Sequence, residues 1–202
     1  MAENVAPTKG NLMNARRSLE LAKVGYHLME RKRKFLLREI AKRTEEYERT
    51  EKEMERLCRD AFYSLRMATV ADGLPLTQAQ SVPVDDSVTV VTRSVMGVEV
   101  PEAHVQPPER KIYYGLAFTG LQLDDAYSRF LDLKVLAVKA ATLETALFRL
   151  QEAVVKTGKR SNALGNIVIP RFTSQIKFIS DSLEEKERED FARLKVIKGE
   201  HE

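Results

Sequence analysis

The chain has 202 residues, enough for one large domain or two small ones, and carries a net charge of +3. Charged residues make up 31% and aromatics 7%, with no Trp, a composition suited to long solvated helices rather than to a compact core. There is no apolar run of the roughly 18 residues that a membrane span needs, and MAENVAPTKG lacks a signal-peptide core. The single cysteine, Cys58, excludes an intrachain disulfide and fits a reducing compartment, so a soluble cytoplasmic protein is expected.

Pro7-Thr8 opens the first element, with Thr8 as the N-cap. From Leu12 to Ala68, steps of three and four land on Leu12, Ala15, Leu19, Ala22, Tyr26, Met29, Arg33, Leu36, Ile40, Arg43, Tyr47, Thr50, Met54, Leu57, Ala61, Ser64 and Ala68. Most are apolar and the step never slips. A straight helix repeats every 3.6 residues, so a seven-residue stripe stays buried only by supercoiling against a partner. Residues 8–68 as one helix span roughly 90 Å. Gly25 is either a tolerated weak spot or a place where a second backbone comes close.

Residues 8–68 carry 16 Lys or Arg against 10 Asp or Glu. The tight run Arg31-Lys32-Arg33-Lys34 fans round a helix over about 300°, so it forms no single patch and nucleic-acid binding is not expected. From Thr44 to Arg59 the charges are dense, with Glu45–Arg49 and Glu48–Lys52 in the favourable i,i+4 order. This is a solvated stalk face, not a carboxylate active site.

Asp72-Gly73-Leu74-Pro75 ends the helix. The β-branched run Ser87–Thr92 and the stretch Val95–Pro101 around Gly97 read as a small β-hairpin, closed by Gln106-Pro107-Pro108. A lone hairpin is marginal in water and must lean on the helices or on a partner. A second helical region is expected to start near Tyr113 to Leu116. Its stripe of Leu133, Leu136, Ala140, Leu143, Leu147, Leu150 and Val154 matches the first. Gly158 and Asn162 allow a break or irregular turn, and Pro170 should bend the axis. Phe172, Ile176, Ile179 and Leu183 resume the stripe, and Phe191, Leu194 and Ile197 finish it.

The expected fold is therefore mainly α: a long antiparallel two-helix coiled coil with a small β-hairpin head between the helices. The expected parts are residues 1–70, 71–115 and 116–202, the last irregular near 158–166. The longer second helix should overshoot the first and pack with residues 70–85 as a blunt head. The expected seam includes Leu36, Ile40, Met54, Leu57, Leu143 and Leu147. His27, His104 and His201 are far apart without metal-like neighbours, and no GxSxG, GxGxxG or Walker pattern is present. Neither a metal nor a cofactor is expected. A binding or mechanical protein is favoured over an enzyme, and a free-standing coiled-coil scaffold or tether is the alternative.

Three groups of residues carry a family resemblance. The first is Pro7-Thr8 with Leu12, Leu19, Ala22, Gly25, Leu28 and Lys32-Arg33. The second is Arg93 to Pro101, with Met96-Gly97-Val98. The third is Arg160, Asn162-Ala163-Leu164, Ile169-Pro170, Ile176, Ile179, Leu183-Glu184-Glu185, Glu187-Arg188-Glu189 and Arg193-Leu194-Lys195. In order and spacing they resemble the D subunit of the V-type and archaeal A-type rotary ATPases, the central rotor shaft. Lys34 and Gly165 stand where that family usually has acidic residues. The resemblance implies a non-catalytic subunit of a peripheral membrane complex that couples ATP hydrolysis or synthesis to proton or sodium transport. It implies the catalytic A and B subunits, the F subunit and the funnel-shaped subunit on the membrane rotor ring as partners, with no direct membrane insertion. It also implies a hexamer-facing tip, with Thr8, Leu12, Arg16, Leu19, Lys23, Leu183, Arg188, Phe191, Leu194 and Ile197 as candidates.

Overall fold

The structure is a computed structural model and describes residues 6–84, 86–106, 111–115 and 119–199. The chain is mainly helical. Two long helical segments are joined through a short helix and a two-stranded antiparallel sheet. It falls into two compact units that cut across the helices: residues 1–35 with 154–202, and residues 36–153.

Helix α1 runs unbroken over Lys9–Asp72. At its start the Thr8 hydroxyl accepts the Asn11 N–H at 3.2 Å, the expected cap. At its end Gly73 adopts φ 81° and its N–H returns to the Thr69 carbonyl, a left-handed stop that a side chain would strain. Every position of the Leu12–Ala68 stripe is buried or half-buried. Ala15, Ala22, Leu36, Thr50 and Ser64, all buried, lie multiples of seven apart. The polar members are satisfied locally or across the pair. Thr50 donates to the Glu46 carbonyl at 2.9 Å, and Ser64 donates to Asp125 Oδ2 at 2.8 Å.

The second helical segment begins at Leu121, later than the expected 113–116; residues 113–115 are not helical, and residues 116–118 lie outside the described residues. It comprises α3 (Leu121–Ala163), a π-helical turn (Leu164–Val168) and α4 (Ile169–Gly199). No break occurs at Gly158 or Asn162. The irregularity comes just before Pro170, where the Ile169 N–H reaches five residues back to the Leu164 carbonyl. A proline inside a helix loses its own bond and crowds the carbonyl four residues earlier; a widened turn makes room for it. Gly158 stays helical because its neighbours Thr157 and Ser161 are buried in the seam.

Within residues 36–153, α1 and α3 run antiparallel, and Leu36, Ala61, Leu143, Ala146 and Leu150 are buried. The start of α3 is tied to the end of α1. Asp72 Oδ2 accepts the Gly120 N–H at 2.7 Å, an approach so close that a Cβ at Gly120 would lie 2.7 Å from that oxygen. Ala68, Tyr114 and Leu123 form a small core there, with Val82 and Tyr127 against it. Helix α2 (Leu76–Ser81) precedes the hairpin and was not expected.

The hairpin is longer than expected: β1 is Val88–Val95 and β2 is Val98–Val105, with Val88 paired to Val105. Met96 and Gly97 turn with φ 51° and 74°, the two left-handed residues of a tight hairpin. Asp85, Pro107 and Pro108 lie outside the described residues. As expected, the hairpin leans on the helices. Val100 is buried, and β2 lines a groove with Glu39, Arg43 and Glu46 of α1 and Val135, Val138 and Leu143 of α3. Lys134 Nζ donates to Ser87 Oγ at 3.1 Å. The hairpin thus lies along the flank of the helix pair, while the core of Ala68, Tyr114 and Leu123 covers the end of α1.

Candidate interaction surfaces

The described residues hold no cluster of His, Cys, Asp and Glu able to bind a metal, and no described helix is long and apolar enough to cross a membrane. What the surface offers is apolar area.

The first such area lies in the unit of residues 1–35 with 154–202. Its seam carries a polar layer: fully buried Ser161 donates to Glu30 Oε1 at 2.6 Å, and Arg33 lies 4.0 Å from the same oxygen. Gly25 has room for a methyl group, its nearest neighbour being the Leu164 side chain at 3.7 Å. The weak-spot reading therefore describes it. Gly165 is tighter, since a Cβ there would lie 3.0 Å from the Tyr26 ring.

Of the ten tip candidates, Leu12, Leu19 and Leu183 are half-buried along the seam. Arg16, Lys23 and Arg188 are exposed, and Thr8 caps α1. The Lys9–Glu187 ion pair at 3.0 Å sets the first residue of α1 beside α4. Past Glu187, α4 runs on with every residue from 188 to 198 exposed. Phe191, Leu194 and Ile197 are 71, 65 and 55% exposed. The overshoot therefore appears here rather than against residues 70–85. The later start of α3 and the unbroken helix at 158–163 shift the surplus length toward the C-terminus.

The six seam candidates all lie in the other unit. Leu36 and Leu143 are buried; Ile40, Met54, Leu57 and Leu147 are half-buried. Between them sits Tyr47, whose hydroxyl donates to Glu51 at 3.3 Å. Burial and then the carboxylates of Glu51 and Glu144 push its pKa up. Near the start of α3, the Ser64 hydrogen bond and then the Arg129 guanidinium hold the Asp125 carboxyl below the usual range.

The sequence reading missed an apolar cleft in this unit. Leu65, Pro75, Val82, Tyr114, Leu123 and Phe130 line it. Burial, then the hydrogen bond to Asp124 at 2.6 Å, raises the Tyr114 hydroxyl above its ordinary pKa. Pro75, Val82 and Tyr114 belong to neither stripe, so periodicity could not collect them. The available signal was an apolar residue on each side of the hairpin. Strand β1 is a second missed surface, exposed along nearly all its length, with Val90 and Val91 at 66 and 55%.

Residues 11–199 match the ATP synthase D subunit family. The chain is 39% identical over 197 residues to the V-type ATP synthase D subunit of Thermotoga neapolitana, covering 96% of this chain and 97% of that protein. It is 37% identical over 206 residues to the A-type ATP synthase D subunit of Thermococcus gammatolerans, covering 98% and 96%. To the A-type ATP synthase D subunit of Pyrococcus horikoshii it is 36% identical over 200 residues, covering 96% and 94%.

Proposed function

The chain belongs to the ATP synthase D subunit family, and from that premise we propose that it is the non-catalytic rotor shaft of a V/A-type complex. The shaft carries torque between the catalytic hexamer of A and B subunits and the membrane rotor ring. ATP hydrolysis turns it to pump protons or sodium ions, or ion flow turns it to make ATP. The end of α4 sits in the hexamer, the F subunit binds alongside, and the apolar cleft near Tyr114 seats on the funnel-shaped subunit above the ring. The protein works in the cytoplasm, peripheral to the membrane, with no cofactor of its own.

One observation carries this reading. Beyond Glu187, α4 keeps an apolar face, Phe191, Leu194 and Ile197, that no described residue of this chain covers. A solvated helix end has no need of large apolar residues; an end that enters a cavity does. The seam supports the same view, since a buried heptad stripe of Leu36, Leu143 and Leu150 gives a helix pair the stiffness a shaft needs.

The test is a reconstituted complex in which ATP hydrolysis and ion transport are both measured. Ile40→Gly with Leu57→Gly loosens the seam; hydrolysis survives in part because catalysis lies in other subunits, while coupled transport falls much further. Lys52→Ala, on the exposed face, leaves both rates unchanged. Equal loss of both rates in the seam variant refutes the torque path. Failure of the chain to co-purify with the A and B subunits refutes the shaft and favours a free-standing tether.

A further inference from the structure

We infer that the uncovered end of α4 is a self-complementary surface, through which two copies of the free protein pair antiparallel before either meets a larger partner. The inference concerns the isolated chain and does not rest on the shaft reading.

At 100° per residue, Asp190, Phe191, Leu194, Ile197 and Lys198 fall within an arc of about 120° on one face of α4. All five are exposed, and the three apolar ones are more than half exposed. The face reads acid, apolar, apolar, apolar, base. Laid antiparallel on a second copy with Leu194 at the two-fold axis, it matches itself. Leu194 meets Leu194, Phe191 meets Ile197 twice, and Asp190 meets Lys198 twice. A two-fold contact uses the same patch on both copies, so a patch that matches its own reverse closes as a dimer and does not propagate. The parallel arrangement sets Asp190 on Asp190 and Lys198 on Lys198, and like charges in contact disfavour it. Of the neighbouring acids, Glu187 falls in the same arc one turn before Asp190, and Glu189 falls outside it. Glu189 is taken by Arg193 on its own helix at 3.8 Å, and Glu187 by Lys9 at 3.0 Å.

The face covers about two turns, so the contact lies near or below the roughly 1,200 Å² at which specific interfaces begin. The dimer is accordingly weak, with a dissociation constant on the order of 100 µM. A pairing this weak gives way to any tighter partner.

The experiment is sedimentation equilibrium of the full chain from micromolar to near-millimolar concentration, with helicity checked by circular dichroism. The wild type should approach twice the 23.0 kDa monomer mass at the upper end. Leu194→Glu, which sets two carboxylates at the axis, should weaken pairing at least about tenfold. Asp190→Lys or Lys198→Asp alone should weaken it several-fold, and the two together should restore it. A wild type that stays monomeric throughout overturns the inference. So does association that Leu194→Glu leaves unchanged, since it would run through another surface. If the double reversal fails to recover what each single reversal loses, the antiparallel pairing is wrong.

Discussion

Ser161 is fully buried, and its hydroxyl has one charged acceptor, Glu30, at 2.6 Å. Ser161→Ala removes the donor from a half-buried carboxylate and should cost about 1–3 kcal/mol in urea unfolding. The glycines separate cleanly. Gly25→Ala gains helix propensity without a clash and should stabilise by about 0.5–1 kcal/mol. Gly165→Ala meets the Tyr26 ring at 3.0 Å and should gain less or lose stability. Asp125 sets the pH dependence at this scale. Its folded pKa is depressed, first by Ser64 and then by Arg129, so its contribution is present above the unfolded value and lost as pH falls through the folded one. The group is half exposed, so the loss is under about 1 kcal/mol. Asp125→Asn should flatten the acid limb of a stability–pH curve while leaving its alkaline limb unchanged.

At the scale of elements, the hairpin and the π turn show how local sequence is answered by its surroundings. Met96 holds φ 51° without a glycine's freedom. Met96→Asn, a residue that tolerates the left-handed region, should raise the stability of the hairpin by a few tenths to about 1 kcal/mol. Gly97→Val should lower it by more, read as faster amide exchange in β1 and β2, with the exchange of α1 unchanged. The heptad stripe of α1 was legible because strict periodicity over many turns has one physical meaning. The path through Gly158 and Asn162 was not. Two weak helix formers suggest a break in isolation, but buried Thr157 and Ser161 hold the segment in the seam. The distortion moves to Pro170, whose missing N–H packing alone cannot restore.

For the molecule as a whole, stability is concentrated in the seam. Leu36→Ala or Leu150→Ala removes a fully buried side chain and should cost about 2–5 kcal/mol in chemical denaturation. Lys52→Ala, on an exposed face, should cost under about 1 kcal/mol. If the surface change cost as much as the seam changes, the stripe would not be the source of cohesion.

The helical class, the two stripes, the cap at Thr8, the stop at Gly73 and the hairpin turn were all determined by the sequence alone, because each depends on residues within a few positions of one another. So was the family resemblance, carried by motifs in order along the chain. Only the tertiary structure decided where surplus length and apolar surface go. The flank seat of β2, the cleft that gathers Pro75, Val82 and Tyr114, and the uncovered end of α4 past Glu187 each depend on which distant residues come opposite each other. That pairing is set by the sum of many seam contacts, and no local stretch of the chain contains it.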